Sequence, residues 1–234
     1  MPSKPVKGPP PIALLLALSA ASCATTPQPP APAAAQVATT SPAPASDETI
    51  APPSPAALQT FQTIDAMDVE RRWLSGTRVY WETGFPSGRP VPPLEKDTHC
   101  SAFAAAAAER LGIYLLRPPE HSQLFLANAQ YDWLAAKGAR HGWIALANAV
   151  EAQNRANQGD LVVVVHRNPD PHRHGHIAIV RPDPKSIADV EREGPQITEA
   201  GDTNYRSTTV SVGFPRAWAQ HDVRFYAHAV PQRR

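Results

Sequence analysis

The sequence predicts an α+β fold in which N-terminal helices pack on a C-terminal antiparallel β-sheet, and three observations carry that expectation. Apolar residues recur at helical spacing as far as Asn157. Beyond Gly159 the pattern changes to the β-branched run Leu161-Val162-Val163-Val164-Val165 and then to shorter alternating stretches. Helices and strands are therefore segregated along the chain, which favours antiparallel pairing over a wound parallel sheet.

The first segment is not part of that fold. Residues 1–22 have the make-up of a secretory signal peptide, with Lys4 and Lys7 ahead of an apolar stretch too short to span a bilayer. It ends in Ala20-Ala21-Ser22-Cys23, which resembles the lipobox of bacterial lipoproteins with Ala20 where Leu is usual. The resemblance implies that Cys23 is acylated and becomes the mature N-terminus. Ala24 in place of Asp implies sorting to the periplasmic face of the outer membrane. Residues 23–56 are rich in Pro, Ala, Thr and Ser, a composition unable to bury a core, and are expected to form a tether. Extended, such a spacer reaches about 100 Å, at roughly 3.1 Å per residue. The folded domain is then expected over residues 57–234.

Within it, Phe61, Ile64, Met67 and Leu74 predict a helix that stops at Gly76. Residues 77–93 read as irregular, closing in the breaker-rich Gly88-Arg89-Pro90-Val91-Pro92-Pro93. A helix opens at Cys100 with Asp97 or Thr98 as its cap, and Gly112 follows its last periodic residue. Further helices are expected over residues 124–137 and 144–157. Leu161 to Val165, apolar without alternation, marks a central strand buried on both faces. More strands are expected over residues 176–180, 196–200, 208–213 and 223–230.

Charge narrows the function. Loss of Lys4 and Lys7 with the signal leaves 20 of the 22 basic residues against 21 acidic ones, which gives no electrostatic case for nucleic acid. No Gly-rich phosphate loop or dinucleotide fingerprint is present, and no cofactor is expected. The five tryptophans are expected mainly in the core.

The two cysteines say more. With Cys23 acylated, Cys100 has no disulfide partner and is a free thiol in an oxidising compartment, which points to use. It heads a helix, where the partial positive charge favours the thiolate nucleophile. Cys100, Phe103, Ala107 and Leu111 share a helix face expected to pack on the sheet, with the alanines permitting close approach. His176 opens a strand in which His176, Ala178 and Val180 point one way, and the small Ala178 suits a close helix. A histidine loop, His172-Arg173-His174-Gly175-His176, offers a rival Zn²⁺ or Cu²⁺ site, although Asn168-Pro169-Asp170-Pro171 favours a solvated loop there, so no metal is expected. His99 adjoins Cys100 but is turned about 100° away on the helix, a poor place for its base.

Three pieces, Thr98-His99-Cys100-Ser101-Ala102-Phe103, Gly159-Asp160-Leu161-Val162-Val163 and Gly175-His176-Ile177-Ala178-Ile179-Val180, resemble in kind and order the CHAP amidases and their NlpC-type relatives. They cover about a tenth of the domain. The resemblance implies a papain-like α+β fold and a membrane-tethered hydrolase of amide bonds in peptidoglycan. It implies Cys100 as nucleophile, His176 as general base, the Cys100 backbone N–H in the oxyanion hole, and a polar residue orienting His176. Glu199 stands at the matching place, ahead of Gln196, Asp202 and Asn204. Residues 117–143 match nothing in that family and resemble an insertion near the cleft. Three alternatives remain open: a non-catalytic peptidoglycan-binding lipoprotein, a thiol acyltransferase, and a periplasmic metal-binding protein.

Overall fold

The computed structural model describes residues 48–91 and 98–231. The expected signal peptide, the acylated Cys23, most of the tether and the candidate cap Asp97 lie outside the described residues. Residues 48–56, expected at the end of the tether, belong to the folded domain. Ile50 is buried and its N–H donates to the Lys185 carbonyl, Thr49 bridges to Ser186, and the Ser54 N–H donates to the Asn157 carbonyl.

Ser54 caps helix α1, Pro55–Asp65, by accepting from the Ala57 N–H, with proline at the helix start where a missing N–H costs nothing. The helix stops earlier than its periodicity suggested, because Asp68 turns into the left-handed region at φ 56°. Phe61, Ile64 and Met67 reach the core, but Leu74 is exposed and Trp73 takes the buried place instead. Trp73 packs edge-on against Phe103 of helix α2, Cys100–Arg110, with ring centroids 5.3 Å apart.

Helix α2 is the centre of the molecule. The expected single packing face was too narrow: every residue from Cys100 to Ala108 is buried. Five consecutive alanines, 104–108, leave no side chain large enough to hold any neighbour off. Its N-cap is His99, which makes no side-chain cap bond, rather than Asp97 or Thr98. Gly112, at φ 73°, turns the chain away at the other end. Helix α3, Leu126–Ala136, lies within the helix expected over residues 124–137, packs on α2 and leads into a 3-10 turn, Gly138–His141.

The chain expected to be helical from residue 144 first forms a short strand, β1, Ile144–Leu146, and only then helix α4, Ala149–Gln158. Asn148 explains the switch, since its Oδ1 accepts from the Glu151 N–H and fixes the helix start there. Strands β2, Leu161–His166, and β3, His176–Val180, follow, then helix α5, Ile187–Glu193, and strands β4, Gln196–Ala200, and β5, Asn204–Thr209. Residues 208–213, expected as a strand, are the end of β5 and the single-turn helix α6, Val210–Gly213. A short helix α7, Pro215–Ala219, leads to strand β6, Arg224–His228.

The sheet runs in the order β1-β6-β2-β3-β4-β5, every neighbouring pair antiparallel. Val163, Val165, Ile177 and Ile179 cluster with α2 on one face. Val162, Val164, Ala178 and Val180 cluster with residues of α4, α6 and α7 on the other. Two covered faces account for the unbroken apolar run of β2. They also reverse one expectation: Ala178 faces away from α2, so it is not what lets α2 approach. The fold is mixed helix and antiparallel sheet, as the segregated pattern predicted.

Candidate active site

His176 is the first residue of β3, so its ring sits at the rim of the sheet rather than within either packed layer. Cys100, the first residue of α2, meets it there. The thiol and the imidazole lie within hydrogen-bonding and charge-interaction range. On the ring's other side, Nε2 donates to Oε2 of Glu199 at 2.5 Å. With Nε2 given to the carboxylate, Nδ1 is the nitrogen left for the sulfur. Cys100, His176 and Glu199, three residues spread over a hundred positions, thus form one chain of contacts.

Glu199 reaches the ring from β4, the next strand, across a bulge between Ile197 and Glu199. The carboxylate is buried, with a side-chain exposure of 3%, whereas the imidazole keeps 21%. A buried carboxylate demands a partner, and the imidazole is that partner. Gln196, Asp202 and Asn204 do not take the role. Gln196 donates to Ser207 Oγ, Asn204 donates to the Val69 and Arg72 carbonyls at 2.6 and 2.8 Å, and Asp202 is exposed.

Burial is the largest influence on His176 and works to lower its pKa. It is outweighed by the charge and hydrogen-bond contributions of Cys100 and by the hydrogen bond and charge of Glu199, which together push it up to about 10. The ring is therefore an imidazolium at neutral pH, held between a sulfur and a carboxylate.

Two groups that the sequence gave no reason to single out complete the surroundings. Phe214 lies against the imidazole, with ring centroids 4.4 Å apart. Gly213 passes so near Glu199 that an added Cβ would stand 2.6 Å from Oε2 and 2.8 Å from Ile197 Cδ1. Gly213 ends α6 and Phe214 joins α6 to α7; the sequence pattern had placed Gly213 at the end of a strand and had made no assignment of Phe214.

Two cavities lie beside the site, and Cys100 is among the lining residues of neither. One, about 420 Å³, is lined by His176, Glu199, Asp202, Tyr205 and Gly213 among others. The other, about 630 Å³, is lined by residues including Arg78, Trp81, Arg89, Ser101 and Gln123. Thr98 and His174 line both, so the two spaces adjoin beside the start of α2. Cys100 itself is only 4% exposed.

Comparison of the chain with protein-family models and with curated proteins gives no match, so the geometry alone carries the functional reading.

The histidine loop does not gather as a metal site. His176 is committed to Glu199, the His174 ring packs on Phe125 at 4.8 Å, and His172 is exposed on a turn with its N–H on Asp170 Oδ1. Among the described residues no group of three or more His, Cys, Asp or Glu is arranged to hold a metal ion. His99 is buried, with Nε2 donating to the Thr77 carbonyl at 2.6 Å, and serves as a brace for the chain entering α2. Trp73 and Trp143 are core residues whose indole N–H groups donate to the Trp81 and Tyr114 carbonyls.

Residues 117–143, read as an insertion, are woven into the domain. Gln130, fully buried, donates from Nε2 to the carbonyls of Ser101 in α2 and Leu116. The segment thereby braces the first turn of the helix that carries Cys100.

Proposed function

We propose that the domain is a papain-like cysteine amidohydrolase of the CHAP and NlpC type, which cleaves an amide bond in peptidoglycan while held to the outer membrane through lipidated Cys23. The single observation that supports this most is the Cys100–His176–Glu199 series, in which a lone thiol at a helix start adjoins an imidazolium oriented by a buried carboxylate. That is the arrangement an acyl-transfer nucleophile and its acid–base partner require.

The chemistry follows from the groups present. The Cys100 sulfur attacks the amide carbonyl carbon, and negative charge develops on the carbonyl oxygen near the start of α2, where backbone N–H groups point out of the helix. His176, protonated, gives its proton to the departing amine, leaving a thioester on Cys100. The neutral ring then takes a proton from water as that water attacks the thioester, releasing the carboxylic acid and restoring the pair. Glu199 keeps Nε2 protonated and Nδ1 toward the sulfur throughout. The adjoining cavities give a branched peptide room on both sides of Thr98.

Digestion of purified peptidoglycan, followed by mass spectrometry of the released muropeptides, tests the proposal and reports which bond is cut. Wild-type protein is expected to change the muropeptide pattern, and Cys100→Ala to leave it untouched. An unchanged pattern with both proteins, alongside equal retention of both on sedimented peptidoglycan, would instead establish the non-catalytic binding lipoprotein. Products carrying a newly joined amine in place of hydrolysed ends would establish the acyltransferase.

A further inference from the structure

The loop that delivers His176 is held shut by a side chain from α3. Residues 167–175 leave β2 and return to β3, and both of their arms meet Asn128. Its Oδ1 accepts from the Asn168 N–H at 3.0 Å, and its Nδ2 donates to the Arg173 carbonyl at 2.8 Å. Asn168 repeats the closure from within the loop, donating from Nδ2 to the His174 carbonyl at 3.1 Å. Asn128 is buried.

The chain between this clasp and the imidazole has no slack. Gly175, the residue before His176, lies so close that an added Cβ would stand 2.4 Å from Asn128 Oδ1 and 2.5 Å from the His166 carbonyl oxygen. On the same helix start, Phe125 supports the His174 ring. Asn128 and Phe125 thus tie the loop that approaches His176 to α3 and its first turn.

We infer that Asn128 is a positioning residue for His176: by pinning both arms of the 167–175 loop, it sets the angle at which the imidazole meets the Cys100 sulfur. This inference rests on the proposed function, and it gives residues 117–143 a role in catalysis besides packing. The clasp uses both faces of one amide, so neither an acceptor alone nor a donor alone replaces it.

The test is the rate at which iodoacetamide alkylates Cys100 in the full-length chain between pH 5 and 10, with Cys100 followed by peptide mass spectrometry so that Cys23 does not interfere. Wild type is expected to react at pH 6 at least tenfold faster than glutathione, and His176→Ala to lose that excess. Asn128→Ala should slow the pH 6 reaction at least tenfold and move its profile toward that of an ordinary thiol. A lower melting temperature with an unmoved profile would show a merely structural asparagine and overturn the inference. Should Asn128→Ala not fold, Asn128→Asp, which keeps the acceptor but loses the donor to Arg173, is expected to move the profile the same way; no movement overturns the inference. A wild-type thiol no faster than glutathione at pH 6 would remove the proposed function, and this inference with it.

Discussion

His176 is the residue on which the site's electrostatics turn. Against the lowering effect of burial, the charge and hydrogen bond of Cys100, and after them the hydrogen bond and charge of Glu199, support its imidazolium, whose pKa stands at about 10 against an ordinary value near 6.5. A pKa raised in the folded state contributes stability that is complete below about 6.5 and is lost as pH rises through 10. The same titration removes the proton needed by the leaving amine, so activity is expected to hold through neutral pH and fall on an alkaline limb near 10. Glu199→Gln keeps an acceptor for Nε2 but removes the charge. It is expected to move that limb toward lower pH and to cost about a hundredfold in kcat. A pH–rate profile of the variant identical to that of wild type would show that Glu199 does not act on His176.

At the scale of elements, α2 is held by what it lacks. Ala104 to Ala108 are fully or almost fully buried, against β3 and β4, α3 and the chain after α1. A larger side chain has nowhere to go, and Ala106→Leu is expected to cost about 3 kcal/mol through overpacking, measured by urea unfolding. The same variant should lower activity, since α2 carries Cys100 at its head. A similar tightness governs the α6–α7 turn. Gly213→Ala is expected to displace Glu199, because the added methyl would meet Oε2 and Ile197 at less than van der Waals distance. Thermal unfolding and kcat of Gly213→Ala check this together: loss of both is expected, and an unchanged kcat would show that the turn has no hold on the carboxylate.

Across the whole molecule, the folded domain begins earlier than composition indicates. Residues 48–54 carry the buried Ile50, the backbone bonds to Lys185 and Asn157 and the cap of α1. A chain shortened to start at residue 46 should unfold at the temperature of the full chain, whereas one starting at residue 57 should lose several degrees. Loss of a cap alone costs about 1 kcal/mol, and burial of an isoleucine contributes about 2 kcal/mol more. Equal melting temperatures for the two truncations would return these residues to the spacer. A second long-range tie works alongside them: Arg181 of the chain after β3 donates to both carboxylate oxygens of Asp65 at the end of α1, at 2.8 and 2.9 Å.

What the sequence determined by itself was whatever depends on residue type and short spacing. The fold class, the central strand over residues 161–165, the helix headed by Cys100 and the candidates Cys100 and His176 are of that kind, because periodicity and turn chemistry are local; Glu199 entered as a candidate only through the resemblance to the CHAP amidases. Tertiary structure decided the rest. Residues 144–146 became a strand because β6 offers a free edge, and residues 210–213 became a turn of helix because a second layer of core needed covering. Ala178 faces away from α2, and Cys100 and His176 meet at the sheet's rim, because the strand's parity is read relative to a helix whose side only the fold assigns. Asn128 and Phe214, which bear on the imidazole from distant segments, carry no local signal at all. Their part arises only when chain a long way off in sequence is brought within a few ångströms.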